Sequence, residues 1–159
     1  MLLDSLNKRG NEMGLDMYLT AKRYIYDFND EGKALRDQLE DLKVNEMRVK
    51  EIMYEAGYWR KANHIHKWFV DNLQGGEDNC GEYPVSVQSL EKLLALVNEV
   101  LSNTQKAKDL LPTTNGFFFG SDLYDEGYYE DLIQTKAIIE NVLSIPDIKL
   151  YDFYYSSSW

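Results

Sequence analysis

A single cysteine, Cys80, stands in the whole chain of 159 residues, so no intramolecular disulfide can form. That scarcity fits a reducing compartment, and a cytoplasmic location is expected. Proline is nearly as rare, with Pro84, Pro112 and Pro146 dividing the sequence at only three points. No apolar run approaches the ~18 residues of a membrane span. The opening Met1-Leu2-Leu3-Asp4 lacks the basic patch and apolar stretch of a secretory signal. No membrane contact is expected. Positive charge is in deficit, at 17 Lys and Arg against 27 Asp and Glu, a net charge of -10. A surface of that sign repels phosphate backbones, which argues against direct nucleic-acid binding.

What is abundant is aromatic side chain: twelve Tyr, six Phe and three Trp. With 44% hydrophobic residues there is material for a packed core, and the length suits one domain. Residues 1–12 are largely polar and are expected to form a flexible extension ahead of a single domain over residues 13–159.

Periodicity divides that domain into elements. Met17, Leu19 and Ala21 alternate with Tyr18, Thr20 and Lys22, which predicts a strand over residues 15–25. Leu35, Leu39 and Leu42 at helical spacing predict a short amphipathic helix over 33–43. An extended pattern returns over 46–58, with Gly57 marking its end. Residues 59–73 again carry helical period, with Ala62, Ile65, Phe69 and Leu73 on one face. Residues 75–81 are a Gly-rich acidic loop. Ser86 is placed to cap a helix whose buried stripe is Leu90, Leu93, Leu94, Val97 and Leu101. Phe117-Phe118-Phe119 reads as a short strand or buried loop, and core is the better reading for all three rings. Residues 125–143 predict a last helix and residues 148–155 a final strand. The class is α+β, a small mixed or antiparallel sheet packed by about four helices.

Candidate chemistry concentrates in residues 58–69, YWRKANHIHKWF. On one helix, Trp59, Asn63 and His66 would lie together at the edge of the apolar face, with Arg60 and Lys67 beyond them. Stacking surface, amide, imidazole and two cations suit an anionic or nucleotide-like ligand, and Tyr18 is a candidate to converge on them. The structural reading of the same residues is a core with satisfied polar tips beside a solvated cationic face. His64 and His66, two apart on a helix, point away from each other and cannot share a metal ion, and one cysteine builds no zinc site. Cys80 sits among Glu77, Asp78 and Glu82, which disfavour a thiolate. Residues 116–120 lack the Gly-Lys-Ser/Thr ending of a phosphate loop. No metal, no cofactor and no complete catalytic set is expected. Asp37, Glu40 and Asp41, with Asp122, Asp125, Glu126, Glu130 and Asp131, are candidates for an acidic partner-binding face. The second group also has a structural role open to it, because acids favour a helix start.

Four ordered motifs, MGLDMYL at residues 13–19, GYWRKANHIHKWFV at 57–70, LPTTNGFFFG at 111–120 and DFYY with SSW at 152–159, resemble a family of small bacteriophage- and prophage-encoded proteins. The resemblance covers nearly all of the chain from Met13 onward. It brings a biological setting and no catalytic residues. It implies an accessory protein that inhibits a host defence or nucleic-acid enzyme, of the anti-CRISPR or anti-restriction type, by laying an acidic face on a basic host protein. The alternative is a nucleotide- or signalling-molecule-binding protein, a sponge or small hydrolase, built on Tyr18, Trp59, Arg60, Asn63, His66 and Lys67.

Overall fold

The computed structural model describes residues 13–159, so the expected extension over residues 1–12 lies outside the described residues. The fold is α+β, and the described residues form five helices and a four-stranded antiparallel sheet. Strand β1 (Asp16–Tyr24) pairs with β2 (Glu51–Arg60) on one side and with β4 (Asp152–Ser158) on the other, and β3 (Tyr83–Val85) closes the far edge against β4. The order is β2-β1-β4-β3. Pro84 takes no ladder donor from an edge strand, which is where proline is tolerated.

Alternation in β1 sends Met17, Leu19 and Ala21 into the core and leaves Asp16, Tyr18, Thr20 and Lys22 half-buried on an open face. β4 does the same with Phe153, Tyr155 and Ser157 inward. A bulge opposite Leu19 and Thr20 fits one extra residue, Ala56, into β2.

Helix α2 (Asn63–Leu73) is the centre of the molecule. Asn63, His64, Ile65, His66, Trp68, Phe69 and Val70 are all buried, so it presents no wide polar face. Phe69 stacks on Tyr155 with ring centroids 3.9 Å apart. Helix α3 (Val87–Ser102) is capped by Ser86 as expected and buries Leu90, Leu93, Val97 and Val100. The short α4 (Ala107–Leu110) leads to a loop, and α5 (Glu126–Leu143) is capped by Asp125, whose carboxylate accepts from the Tyr128 N–H. α5 lies along β2: a side chain at Gly57 would meet Ile138 at 2.6 Å, and Gln134 donates to the Tyr58 carbonyl at 3.0 Å.

Three expectations are corrected. Strand β2 runs through Gly57 to Arg60, and α2 starts only at Asn63, because residues 57–60 find partners on β1 and pairing overrides the local helical spacing. The helix expected at 33–43 begins earlier, as α1 (Asp30–Gln38), and ends in a separate 3-10 turn at Glu40–Leu42. The three phenylalanines do not share the core: Phe119 is buried, Phe118 half-buried and Phe117 93% exposed. No helix among the described residues is long and apolar enough to cross a membrane.

Between the top of β1 and the middle of β2 the chain leaves the core entirely. Over residues 26–55 the one buried residue is Gly32. This arm comprises α1, the 3-10 turn and the first half of β2.

Candidate functional site

The residues expected to share a ligand face are distributed among different jobs. Trp59 points from β2 into the core, fully buried, and donates Nε1–H to Thr135 at 2.9 Å. Arg60, next to it and therefore on the opposite side of the strand, reaches Asp16 at 3.4 Å. Asp16 also accepts a short hydrogen bond from the Tyr58 hydroxyl, and Tyr58 packs on Tyr18 across the open face. Asn63 is a staple: its amide donates to the Phe119 and Ser121 carbonyls at 3.1 and 2.8 Å and accepts from the Thr114 N–H at 3.0 Å. That side chain holds the 113–121 loop against the start of α2.

His66 joins two segments of the core. Its Nε2 lies 2.8 Å from Asp78 and its Nδ1 2.7 Å from the Tyr155 hydroxyl. A carboxylate only accepts, so Nε2–H donates to Asp78 and, in the neutral tautomer, Nδ1 accepts from Tyr155. Burial raises the Tyr155 phenol well above its ordinary pKa and keeps that proton in place. Asp78 accepts in addition from the Trp159 indole at 3.2 Å. Lys67, half-buried, pairs with Asp71 at 2.7 Å, one turn along the helix. Thus Tyr18, Trp59, Arg60, Asn63, His66 and Lys67 span the open sheet face, the core and the outer edge of α2. Arg60 and Asn63 line one cleft together, but the six do not share a concavity.

Four described residues keep a buried side-chain atom without a hydrogen-bond partner, Arg36, His64, Gln74 and Ser157, and His64 is the one at the start of α2. It is 2% exposed and its Nε2 has no hydrogen-bond partner. Its ring lies against Tyr128, centroids 4.2 Å apart, and burial lowers its pKa to about 3. His64 lines a cleft of about 260 Å³ whose walls come from the end of β2, the start of α2 and the start of α5. Arg60 and Lys61 stand on one side, and Asp125, Glu130 and Asp131 on the other. Burial, then the neighbouring Glu130 and Asp125, hold the Asp131 carboxyl up at about 6.

The two acidic groups picked from the sequence sit at opposite ends of β2. Asp37, Glu40 and Asp41 belong to the arm, while Asp125, Glu130 and Asp131 belong to the cleft at Arg60. At the rise of a strand, the ten residues of β2 separate those ends by about 30 Å. Asp122 precedes Asp125 in the chain and Glu126 follows it, and both are exposed.

The arm is the place that sequence reasoning did not single out as a unit. Of thirteen large apolar side chains exposed among the described residues, seven lie on it: Tyr26, Phe28, Leu42, Val44, Met47, Met53 and Tyr54. Tyr24, Tyr26 and Phe28 form a ladder of ring contacts at its root. Its nine acidic residues exceed its five basic ones. The ion pairs Arg36–Asp27, Arg48–Asp27, Lys33–Asp30 and Lys43–Glu40 engage most of the basic groups. Asp37, Asp41 and Glu46 have no ion pair among the described residues. The sequence signal was the density of Met, Val and Leu between charged residues in 39–54, read there as the end of a short amphipathic helix followed by a strand.

No protein-family model, curated protein or solved structure matches the chain. The functional reading therefore stands on its own geometry.

Proposed function

We propose that the protein works by binding, and that the arm over residues 26–55 is the surface it presents to a basic protein partner. The observation that carries this reading is the pairing of seven exposed large apolar side chains with an excess of carboxylates, on a segment that contributes nothing to the core and whose one buried residue is Gly32. Aromatic and methionine side chains enrich the centres of protein interfaces, whereas a solvated segment of no further use is expected to carry few. Acidic groups without internal cations supply the long-range attraction and fix the sign of the partner.

The resemblance to phage-encoded proteins supplies the setting, an accessory inhibitor of a host defence or nucleic-acid enzyme in the bacterial cytoplasm. A surface that is both acidic and apolar competes with nucleic acid for a basic groove and then holds on by contacts a phosphate chain lacks. Mutual displacement by nucleic acid follows.

Capture of host proteins on the immobilised full chain at low salt is the test, run beside the double variant Phe28→Ser/Met47→Ser. A partner retained by the native chain, weakened by raising NaCl from about 50 to 300 mM, and lost with the double variant is the expected result. A partner held equally by both proteins, or none retained at low salt, rejects the reading.

A further inference from the structure

The cleft at the end of β2 collects departures from what the fold alone would prefer. Lys61 holds a left-handed backbone, φ 59°, a conformation that suits glycine and is rare for a long side chain. It is locked there: its N–H donates to the Leu15 carbonyl at 2.8 Å, its carbonyl accepts from Asn63 at 2.9 Å, and Gly120 packs on its side chain. Its ammonium has no ion pair among the described residues, although the chain holds 27 carboxylates. Directly after it, α2 starts without a side-chain cap and without an acid in its first turn. The positive end of its dipole is therefore left uncompensated.

The opposite wall shows the reverse imbalance. Asp131, half-buried, shares its wall with the carboxylates of Glu130 and Asp125. Between the walls, His64 alone among the buried polar side chains at the start of α2 keeps a ring nitrogen unbonded, while Asn63 and His66 on either side are fully engaged. A sequence that caps α1, α3 and α5 with Asn29, Ser86 and Asp125 has the means to satisfy such groups. Arg36, Gln74 and Ser157 keep buried polar atoms unbonded elsewhere, but at this cleft an unbonded imidazole meets an ammonium without an ion pair and an uncapped helix start, and that coincidence points to something bound there.

We propose that this cleft binds a small ligand that is anionic at one end and rich in N–H donors at the other. Phosphate or carboxylate meets Lys61, Arg60 and the open start of α2; the donor end meets Asp131 and Glu130; the buried ring of His64 lines the floor between them. Two kinds of molecule share that chemistry and fit about 260 Å³. A guanine nucleotide offers a phosphate and a ring N–H beside an amino group, and an arginine-like amino acid offers a carboxylate and a guanidinium. Both donor ends match a carboxylate two-pronged.

The experiment is calorimetric titration of the full chain with guanosine 5′-monophosphate and, separately, with L-arginine, each to millimolar concentration in moderate salt. Two variants accompany it. Lys61→Gly removes the ammonium and places glycine where the backbone already favours it; Asp131→Asn removes the crowded charge and keeps the shape. Both are expected to melt no lower than the native protein, so a loss of binding cannot be assigned to unfolding. Saturable binding of one probe, weakened at least tenfold in both variants, supports the site and names its source. Saturation by neither probe overturns the proposal. So does binding that both variants leave intact. A fall in the melting temperature of both variants overturns its premise, that these residues are held against the preference of the fold.

Discussion

One hairpin runs through both halves of this protein, and its two ends obey opposite rules. Near Met17 and Trp59 it forms the floor of the core, with both side chains fully buried. Near Tyr24 and Glu51 the same two strands continue into the arm and bury almost nothing. Backbone pairing is equally regular in both places. Regular secondary structure is thus no measure of a segment's share in stability; burial is. The arm draws on local hydrogen bonds and a few ion pairs, and segments of that kind open at low free energy, independently of the body.

The largest expected effect belongs to the body. Phe69→Ala removes a ring with no exposure from its stack on Tyr155 and should cost about 3–5 kcal/mol, read by urea denaturation. A cost below about 1 kcal/mol would dissolve the contrast with the arm.

Next comes the pH dependence of the body, where two groups pull in opposite directions. His64 has its pKa lowered from 6.5 to about 3, so its neutral burial contributes stability that is whole above 6.5 and is lost as pH falls toward 3. His64→Phe should remove most of that loss, on the order of a few kcal/mol, and shift the midpoint of acid unfolding to lower pH. Asp131 is raised from 3.8 to about 6, so its cost appears as pH rises through that window and is complete above it. Asp131→Asn should therefore stabilise the protein at neutral pH, by about 1 kcal/mol once solvent screening is allowed for, and change nothing below 3.8. Chemical denaturation at a series of pH values separates the two.

A smaller, local effect breaks the arm alone. A side chain at Gly32 would sit 1.8 Å from the Tyr26 carbonyl, so Gly32→Ala cannot keep α1 where it is. Hydrogen exchange over residues 26–50 should quicken at least about tenfold while the main thermal transition stays in place. The smallest effect sharpens the comparison from the other side. Phe28 is 80% exposed, and Phe28→Ser should alter stability by no more than about 0.5 kcal/mol.

Much of the frame was legible in advance because single residues carried it. Ser86 caps the helix it was expected to cap, the last helix starts next to Asp125 where it was expected, and Met17, Leu19 and Ala21 face inward as their alternation requires. Legibility ended where two periodicities overlap. Trp59, Asn63, His66 and Phe69 fit a helical face, yet Trp59 also fits a strand, and only its partner Met17, 42 residues away, decides. The break between the two elements is a left-handed lysine, a residue with no turn signal. The cleft escaped notice for the same reason: His64 is unusual only by what it fails to bond, and that is a property of packing. The arm escaped because exposure is not written in hydrophobic spacing.

The sheet order has a consequence for how the chain acquires its shape. β4 fills the slot between β1 and β3, so residues 152–158 must find residues 16–22 across some 130 positions of sequence. Loop closure over that span is entropically slow compared with forming α3 or the β1–β2 hairpin. During synthesis β1 therefore waits with one edge bare, its inward row of Met17, Leu19 and Ala21 short of the neighbour that completes its pairing, until the ribosome has released residues 152–158. Refolding in vitro should accordingly show helix formation well ahead of the burial of Tyr155, and conditions that prolong this interval are the ones under which the protein should aggregate.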